Sequence, residues 1–229
     1  MQLKDYCNTP YSLQYIKYLN YVRVFNSEPF LYKDKKLENL YVPCCGFKGV
    51  YLNYKYAFKK IVLYDISPAQ IHFYTFLIQN WDGRKELSSL IKEFKNNYKN
   101  SIFKTDITNT PLKFYDKKFY EMLRQYYKNK KEFICAWAKF LQTEKEIVVL
   151  DITRDFNKIK TAQSSYYSLS NIFDFEVTSC FLTPSQRQEK FKQCMQHLAK
   201  SKNSLFEFYF DNNNGVFTSK EIHSIINHI

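Results

Sequence analysis

The sequence predicts an α/β fold with a mainly parallel sheet, and three observations predict it. Short apolar runs rich in β-branched and aromatic residues recur at 40–42, 61–64, 147–150, 166–169 and 205–210. Stretches with helical apolar spacing separate them, the alternation that builds parallel sheets with helices on their faces. The residues that stand out from this background, a glycine pair and an aspartate, follow directly on the first two runs, where open α/β sheets bind ligands.

Each element follows from its residues. Residues 1–36 read as a helical N-terminal extension, with Leu13, Ile16, Tyr18, Leu19, Val22 and Val24 at roughly helical spacing. A core at 37–229 follows. Its first strand, at 40–42, is ended by Pro43, which has no N–H to give a ladder. The second, at 61–64, ends at Asp65. Ser67-Pro68-Ala69-Gln70 then supplies an N-cap serine, a proline at the first helical position and a glutamine at the third, a capping box with a pre-set entry. That helix runs to about Asn80 and is apolar nearly all round, so it is expected to be buried.

Trp81-Asp82-Gly83 stops it, and Leu87, Leu90, Ile91 and Phe94 mark a further helix. Ile102-Phe103 reads as a short strand before Asp106, and 117–142 as one or two helices. The run 147–150 is the clearest strand and ends at Asp151. A short helix at 154–162 leads to the strand at 166–169, closed by Ser170 and Asn171. Thr183-Pro184-Ser185-Gln186 repeats the cap-proline-glutamine start. The last strand, at 205–210, precedes a turn cluster at 211–215, and 218–221 caps a final helix. With neither an internal repeat nor a linker in 229 residues, one domain is expected.

Composition narrows the function classes. Hydrophobic residues at 45% and aromatics at 19% exclude a disordered chain. Charges interrupt every stretch that approaches the roughly eighteen apolar residues of a membrane span, and MQLKDYCNTP lacks the apolar core of a secretory signal. The expectation is a soluble cytoplasmic protein with no membrane span. The six cysteines form no CxxC pair and the four histidines have no paired spacing, so neither a disulfide framework nor a metal site is expected.

The net charge of +12 invites a polyanion. The chain is also rich in Lys, Asn, Tyr, Phe and Ile and poor in Gly and Pro, a profile that A/T-biased coding produces without any ligand. The excess is uneven, however. Residues 84–131 hold thirteen Lys/Arg against five Asp/Glu, with nine aromatics interleaved. This stretch reads either as a solvated helical face over a core stripe or as a nucleic-acid-binding face.

Of only four glycines, Gly46 and Gly49 follow directly on the first strand. Two glycines there suit a tight turn whose backbone approaches a ligand closely. Nineteen residues beyond Gly46, Asp65 ends the second strand, where nucleotide-binding α/β folds hold ribose hydroxyls with an acidic side chain. The glycines do not complete a GxGxxG fingerprint, which weighs against an NAD-type cofactor and suits one without a pyrophosphate.

Here the chain resembles the class I S-adenosylmethionine-dependent transferases, the Rossmann-like methyltransferase superfamily. Tyr41-Val42-Pro43-Cys44-Cys45-Gly46-Phe47 looks like their first motif and Ile61-Val62-Leu63-Tyr64-Asp65 like their second. Asp65-Ile66-Ser67-Pro68-Ala69-Gln70 and Ser168-Leu169-Ser170-Asn171-Ile172-Phe173 resemble segments of the betaine-lipid type aminocarboxypropyl transferases. The resemblance spans about 38–175 and implies S-adenosylmethionine laid across the ends of the first two strands. It implies Cys45, Gly46 and Phe47 beside the methionine part, Gly49 in the same cofactor-binding loop, Asp65 on the ribose and Ile66 on the adenine. It also implies Asp151, or alternatively Asp106, facing the adenine amino group, and Ser170 and Asn171 beside the sulfonium carbon. Either aspartate reads equally well as a helix N-cap, and Asn171 as a turn residue. The function expected is transfer of a methyl, or an aminocarboxypropyl, group to an unidentified acceptor. The alternative is a non-catalytic basic nucleic-acid-binding protein on the same scaffold.

Overall fold

The structure, a computed structural model, describes residues 22–25, 29–97, 110–161, 164–170, 172–173, 182–210 and 213–228. The elements are β1 (Asn39–Pro43), α1 (Lys48–Tyr56), β2 (Lys60–Asp65), α2 (Pro68–Asn80), α3 (Leu87–Asn97), α4 (Leu112–Tyr126) and α5 (Lys130–Gln142). They continue with β3 (Glu144–Val149), α6 (Ile152–Asp155), β4 (Ser165–Ser170), α7 (Pro184–Leu198), β5 (Leu205–Phe210), β6 (Asn213–Thr218) and α8 (Ser219–His228). One six-stranded sheet runs in the order β3-β2-β1-β4-β5-β6. The first five strands are parallel and β6 is antiparallel to β5. The result is a mixed α/β, Rossmann-like fold with helices flanking the sheet. The strand order reverses between β1 and β4, which makes their carboxyl ends the switch point at which open sheets bind ligands.

Side chains alternate across the sheet with period two, so each strand feeds two cores. One face carries Leu40, Val42, Ile61, Leu63 and Tyr166, packed with residues of α1 to α5. The other carries Tyr41, Val62, Tyr64, Tyr167, Leu169, Phe206 and Phe208, packed with α7 and α8. Rings stack from strand to strand on that second face, Tyr41 on Tyr167 at 5.0 Å and Tyr167 on Phe206 at 5.4 Å between centroids. Burial on both faces explains why β1, β4 and β5 read as continuous apolar runs rather than alternating ones.

Several expectations change. The helical extension is not seen where it is described: residues 22–24 and 29–37 are non-helical, and residues 1–21 and 26–28 lie outside the described residues, as does the strand expected at 102–103. The strand at 147–150 begins earlier, at Glu144, and forms the sheet edge. Its charged first half pairs with Lys60 of β2, whose Nζ lies 2.8 Å from Glu146 and 3.4 Å from Glu144, and charge is a common guard of an edge. The stretch 117–142 is two helices, because Asn129 opens α5 by accepting the Glu132 N–H at 2.9 Å. Of the turn cluster expected at 211–215, residues 213–215 are strand and 211–212 lie outside the described residues. Asn213, Asn214 and Gly215 have poor strand propensity, but pairing with β5 overrides it.

Candidate functional site

The site begins where β1 ends. Cys44 N–H donates to the Tyr64 carbonyl at 2.8 Å, continuing the ladder one step, and Cys45 N–H then turns back to the Pro43 carbonyl at 2.7 Å. Gly46 takes φ +58°, a left-handed conformation that costs a residue with a Cβ about 1–2 kcal/mol. Two side chains of α2 hold the bend from beneath: Tyr74 Oη donates to the Gly46 carbonyl at 3.1 Å, and Gln70 Nε2 donates to the Cys44 carbonyl.

Gly49 does something different. It lies in the first turn of α1, where a Cβ would meet Val42 Cγ1 at 3.2 Å, so the missing side chain lets helix and strand approach. The Phe47 ring is buried in the core, with Phe119, Phe133 and Trp81 at 5.4–5.6 Å, so the chain near the bend offers backbone rather than this side chain. Cys45 is half-buried.

Asp65 ends β2 beside the bend. Its Oδ1 accepts the Ser67 N–H at 2.8 Å. Burial pushes its carboxyl up to about 7, while the Ser67 and Ile66 amides and the nearby Arg23 guanidinium pull it back. A carboxyl poised there gains from hydroxyl donors, which favour its charged form. Ile66, half-buried, is the next residue.

The capping box expected at this helix forms only in half. Ser67 Oγ accepts the Gln70 N–H at 3.2 Å, but the Gln70 side chain does not return to Ser67. It reaches the N-terminal segment, accepting Arg23 N–H at 2.5 Å and donating to the Arg23 carbonyl at 3.0 Å. Cys45 Sγ also points to the Phe25 carbonyl at 3.5 Å. Residues 22–25 therefore lie as a strap against the bend, bringing Arg23 towards Asp65. Sequence reasoning missed the strap. The signal available was a glutamine on an otherwise apolar helix, assigned to capping instead. The box at Thr183 does form in both directions.

Asp151 lies one strand over, one residue beyond Leu150, whose N–H donates to the Asp65 carbonyl at 3.0 Å. Its Oδ1 accepts Thr153 N–H at 3.0 Å and Thr153 Oγ1–H at 2.6 Å, making it the N-cap of α6. Burial raises its carboxyl and the Thr153 donors oppose the rise. Asp65 and Asp151 thus stand at neighbouring strand ends. Asp106 and Asn171 lie outside the described residues.

Across the switch point, β4 is irregular. Its register to β5 shifts between Ser168 and Ser170, and Ser170 is buried at φ +55°. Bulges and left-handed residues without glycine are enriched at functional sites. The Ser168 carbonyl accepts the Tyr64 hydroxyl at 2.7 Å across the width of β1. Its Oγ donates to Glu207 Oε2 at 2.8 Å, Tyr166 Oη donates to the same oxygen at 3.3 Å, and Lys48 Nζ meets Glu207 Oε1 at 2.8 Å. Lys48 and Glu207 are both fully buried. This network was not anticipated, since nothing local in the sequence marks Lys48 and Glu207 as partners.

Among the described residues, no group of three or more His, Cys, Asp or Glu side chains is arranged to hold a metal ion, and no helix is long and apolar enough to cross a membrane.

No known family model matches the chain, and no curated protein matches it. Among solved structures, the rRNA methyltransferase aviRa from Streptomyces viridochromogenes is matched at a TM-score of 0.35 and 11% sequence identity, over 78% of this chain and 67% of that one.

Proposed function

We propose that the chain is an S-adenosylmethionine-dependent transferase, moving a methyl group to an acceptor. The observation that carries this reading is the pairing, at the switch point, of the left-handed Gly46 bend with the half-buried Asp65 carboxyl at the end of the adjacent strand, pushed up to about 7. The residues fit an adenosine carrying a charged sulfur. Asp65 is an acceptor for the two ribose hydroxyls, Ile66 is an apolar neighbour for the adenine, and Asp151 an acceptor at the next strand end. The Cys45–Gly46 backbone lies beside the methionine part.

When bound, S-adenosylmethionine supplies a carbon already activated by its sulfonium. The protein's own task is then small. Asp65 and the bend fix the donor, and the strap at 22–25 helps exclude water. Ser170, and Asn171 after it, orient the acceptor by hydrogen bonding to its N–H or O–H. A general base is needed only where the acceptor carries a proton to lose. Transfer of the aminocarboxypropyl group, the variant that the Asp65–Gln70 and Ser168–Phe173 segments resemble, would need a different sulfonium carbon to face the acceptor.

Calorimetric titration with S-adenosylmethionine and S-adenosylhomocysteine tests the reading. Wild type is expected to bind both. Asp65→Ala is expected to lose about 1–3 kcal/mol, the cost of leaving two hydroxyls without their acceptor. Equal binding by both proteins would move the ribose elsewhere, and no binding by wild type would remove the cofactor.

A further inference from the structure

Within the basic stretch singled out in the sequence, α4 has two unlike sides. Tyr115, Phe119, Met122 and Leu123 bury the inner side of α4. The outer side carries Lys113, Lys117 and Arg124, all exposed, at helical spacing that aligns them in a stripe with Tyr120. Beside Tyr120 the stripe widens. Lys130 Nζ lies 5.8 Å from the Tyr120 ring centroid and donates to the Arg84 carbonyl at 2.9 Å, which gathers Arg84 and Lys130 onto the same patch.

Three carboxylates stand nearby against six cations (Arg84, Lys113, Lys117, Lys118, Arg124 and Lys130), and one of the three is paired. Lys118 pairs with Glu121 at 3.1 Å, Asp116 accepts the Ser88 N–H, and Glu86 accepts the Tyr120 hydroxyl. Among the described residues, Lys113, Lys117 and Arg124 form no ion pair with a carboxylate. The stripe spans about 16 Å of helix, the reach of several consecutive phosphates.

One further residue selects among polyanions. Phe114, 43% exposed, is one of only two exposed large hydrophobic side chains among the described residues. It stands next to Lys113, with Lys118 Nζ 5.8 Å from its ring centroid. A lone exposed ring among cations suits an unpaired base, which stacks on an aromatic face while its phosphates meet the charges. It does not suit a membrane surface. An interfacial helix needs a whole apolar face to insert, and the apolar face of α4 is already spent in the core.

We infer that the outer face of α4, with Arg84 and Lys130, binds single-stranded nucleic acid. Coding bias explains how many lysines the chain has, but not the alignment of Lys113, Lys117 and Arg124 on one side of α4 with an exposed ring at its edge. The opposite, inner side of α4 packs against the residue that follows the bend, Phe119 on Phe47 at 5.4 Å between centroids. The outer side therefore lies beyond that contact by a further helix diameter of about 10 Å.

The test is fluorescence anisotropy with labelled 20-nucleotide oligo(dT) and oligo(U) across a salt series, run without cofactor so that its outcome is separate from the cofactor reading. Wild type is expected to bind with a steep salt dependence. The triple variant Lys113→Gln, Lys117→Gln, Arg124→Gln should bind at least tenfold more weakly, with the log–log salt slope reduced by about 2. Phe114→Ala should lose about fivefold or more while keeping the slope. A control that removes three exposed lysines elsewhere, Lys200→Gln, Lys202→Gln and Lys220→Gln, should bind within about threefold of wild type. The inference is overturned if wild type does not bind, if the control loses as much as the triple variant, or if the triple variant binds like wild type. Binding to phosphatidylserine vesicles in place of oligonucleotide would also overturn it.

Discussion

Replacing Asp65 by asparagine separates what this carboxyl does for the fold from what it does for the site. Its folded-state carboxyl is raised from 3.8 to about 7, chiefly by burial. The folded protein therefore holds this proton more tightly than the unfolded chain does. Stability from this group is full at acid pH, falls as pH rises from about 4 to about 7, and is level above that. A difference of this size amounts to at most about 4 kcal/mol. Asparagine keeps an oxygen for the Ser67 N–H and has no charge to bury. Relative to wild type, Asp65→Asn should become more stable as pH rises, by up to about 4 kcal/mol between pH 4 and pH 8. Urea denaturation of both proteins at several pH values measures this, and other titrating groups cancel in the difference. Cofactor binding should move the opposite way: weaker in the variant, and in wild type declining by up to tenfold per pH unit below about 7 as the acceptor becomes protonated. A stability difference that does not change between pH 4 and 8 would refute the claim that burial strains this carboxyl. A cofactor affinity with the same pH profile in both proteins would refute its role as the ribose acceptor.

Gly46→Ala should cost about 1–2 kcal/mol in denaturation, because the new Cβ must sit at φ +58°, and should weaken cofactor binding measured calorimetrically. Gly49→Ala gains helix propensity but sets a Cβ 3.2 Å from Val42 Cγ1, so a net loss of up to about 2 kcal/mol is expected, with cofactor affinity within about twofold of wild type. Glu207→Gln leaves the Lys48 ammonium buried without its counter-charge and should cost about 3–5 kcal/mol in thermal or chemical denaturation. Adding Lys48→Met to that variant should recover most of the loss, since glutamine still accepts the Ser168 hydroxyl.

The sequence revealed what depends on local patterns. Apolar runs fixed four of the five parallel strands to within a residue or two at their ends, and a serine or threonine before a proline located the starts of α2 and α7. It hid what depends on pairing partners. β6 carries two asparagines and a glycine and becomes a strand only because β5 offers an edge. α1, with two lysines and three tyrosines in nine residues, shows little apolar periodicity, and it was not anticipated. At the site, Gly46 and Asp65 stand out locally, one by its rarity and the other by ending a strand. Lys48, Glu207 and the Gln70 clamp were illegible for one reason: a polar side chain buried by a partner more than a hundred residues away, or by a strap forty-seven residues away, looks like any solvated one.

The buried ion pair has a consequence for how the two halves of the site are held. Lys48 follows the bend by two residues, in the first turn of α1, and Glu207 takes both its ammonium and the hydroxyl of Ser168. Ser168 in turn precedes Ser170 by two residues on the bulged end of β4, and its carbonyl is tied to Tyr64, the neighbour of Asp65. The cofactor side and the acceptor side of the proposed site are thus cross-linked through side chains that cannot shift without exposing a charge to the core. Two apolar residues of the same volume would contribute comparable stability, but they would permit small slides of α1 over the sheet that a paired charge resists. In-line transfer from a sulfonium tolerates little misplacement, so such a cross-link would act on turnover more than on cofactor affinity. The Lys48→Met, Glu207→Gln double variant, if folded, should bind S-adenosylhomocysteine like wild type and transfer more slowly. Unchanged turnover would leave the pair a feature of the fold alone.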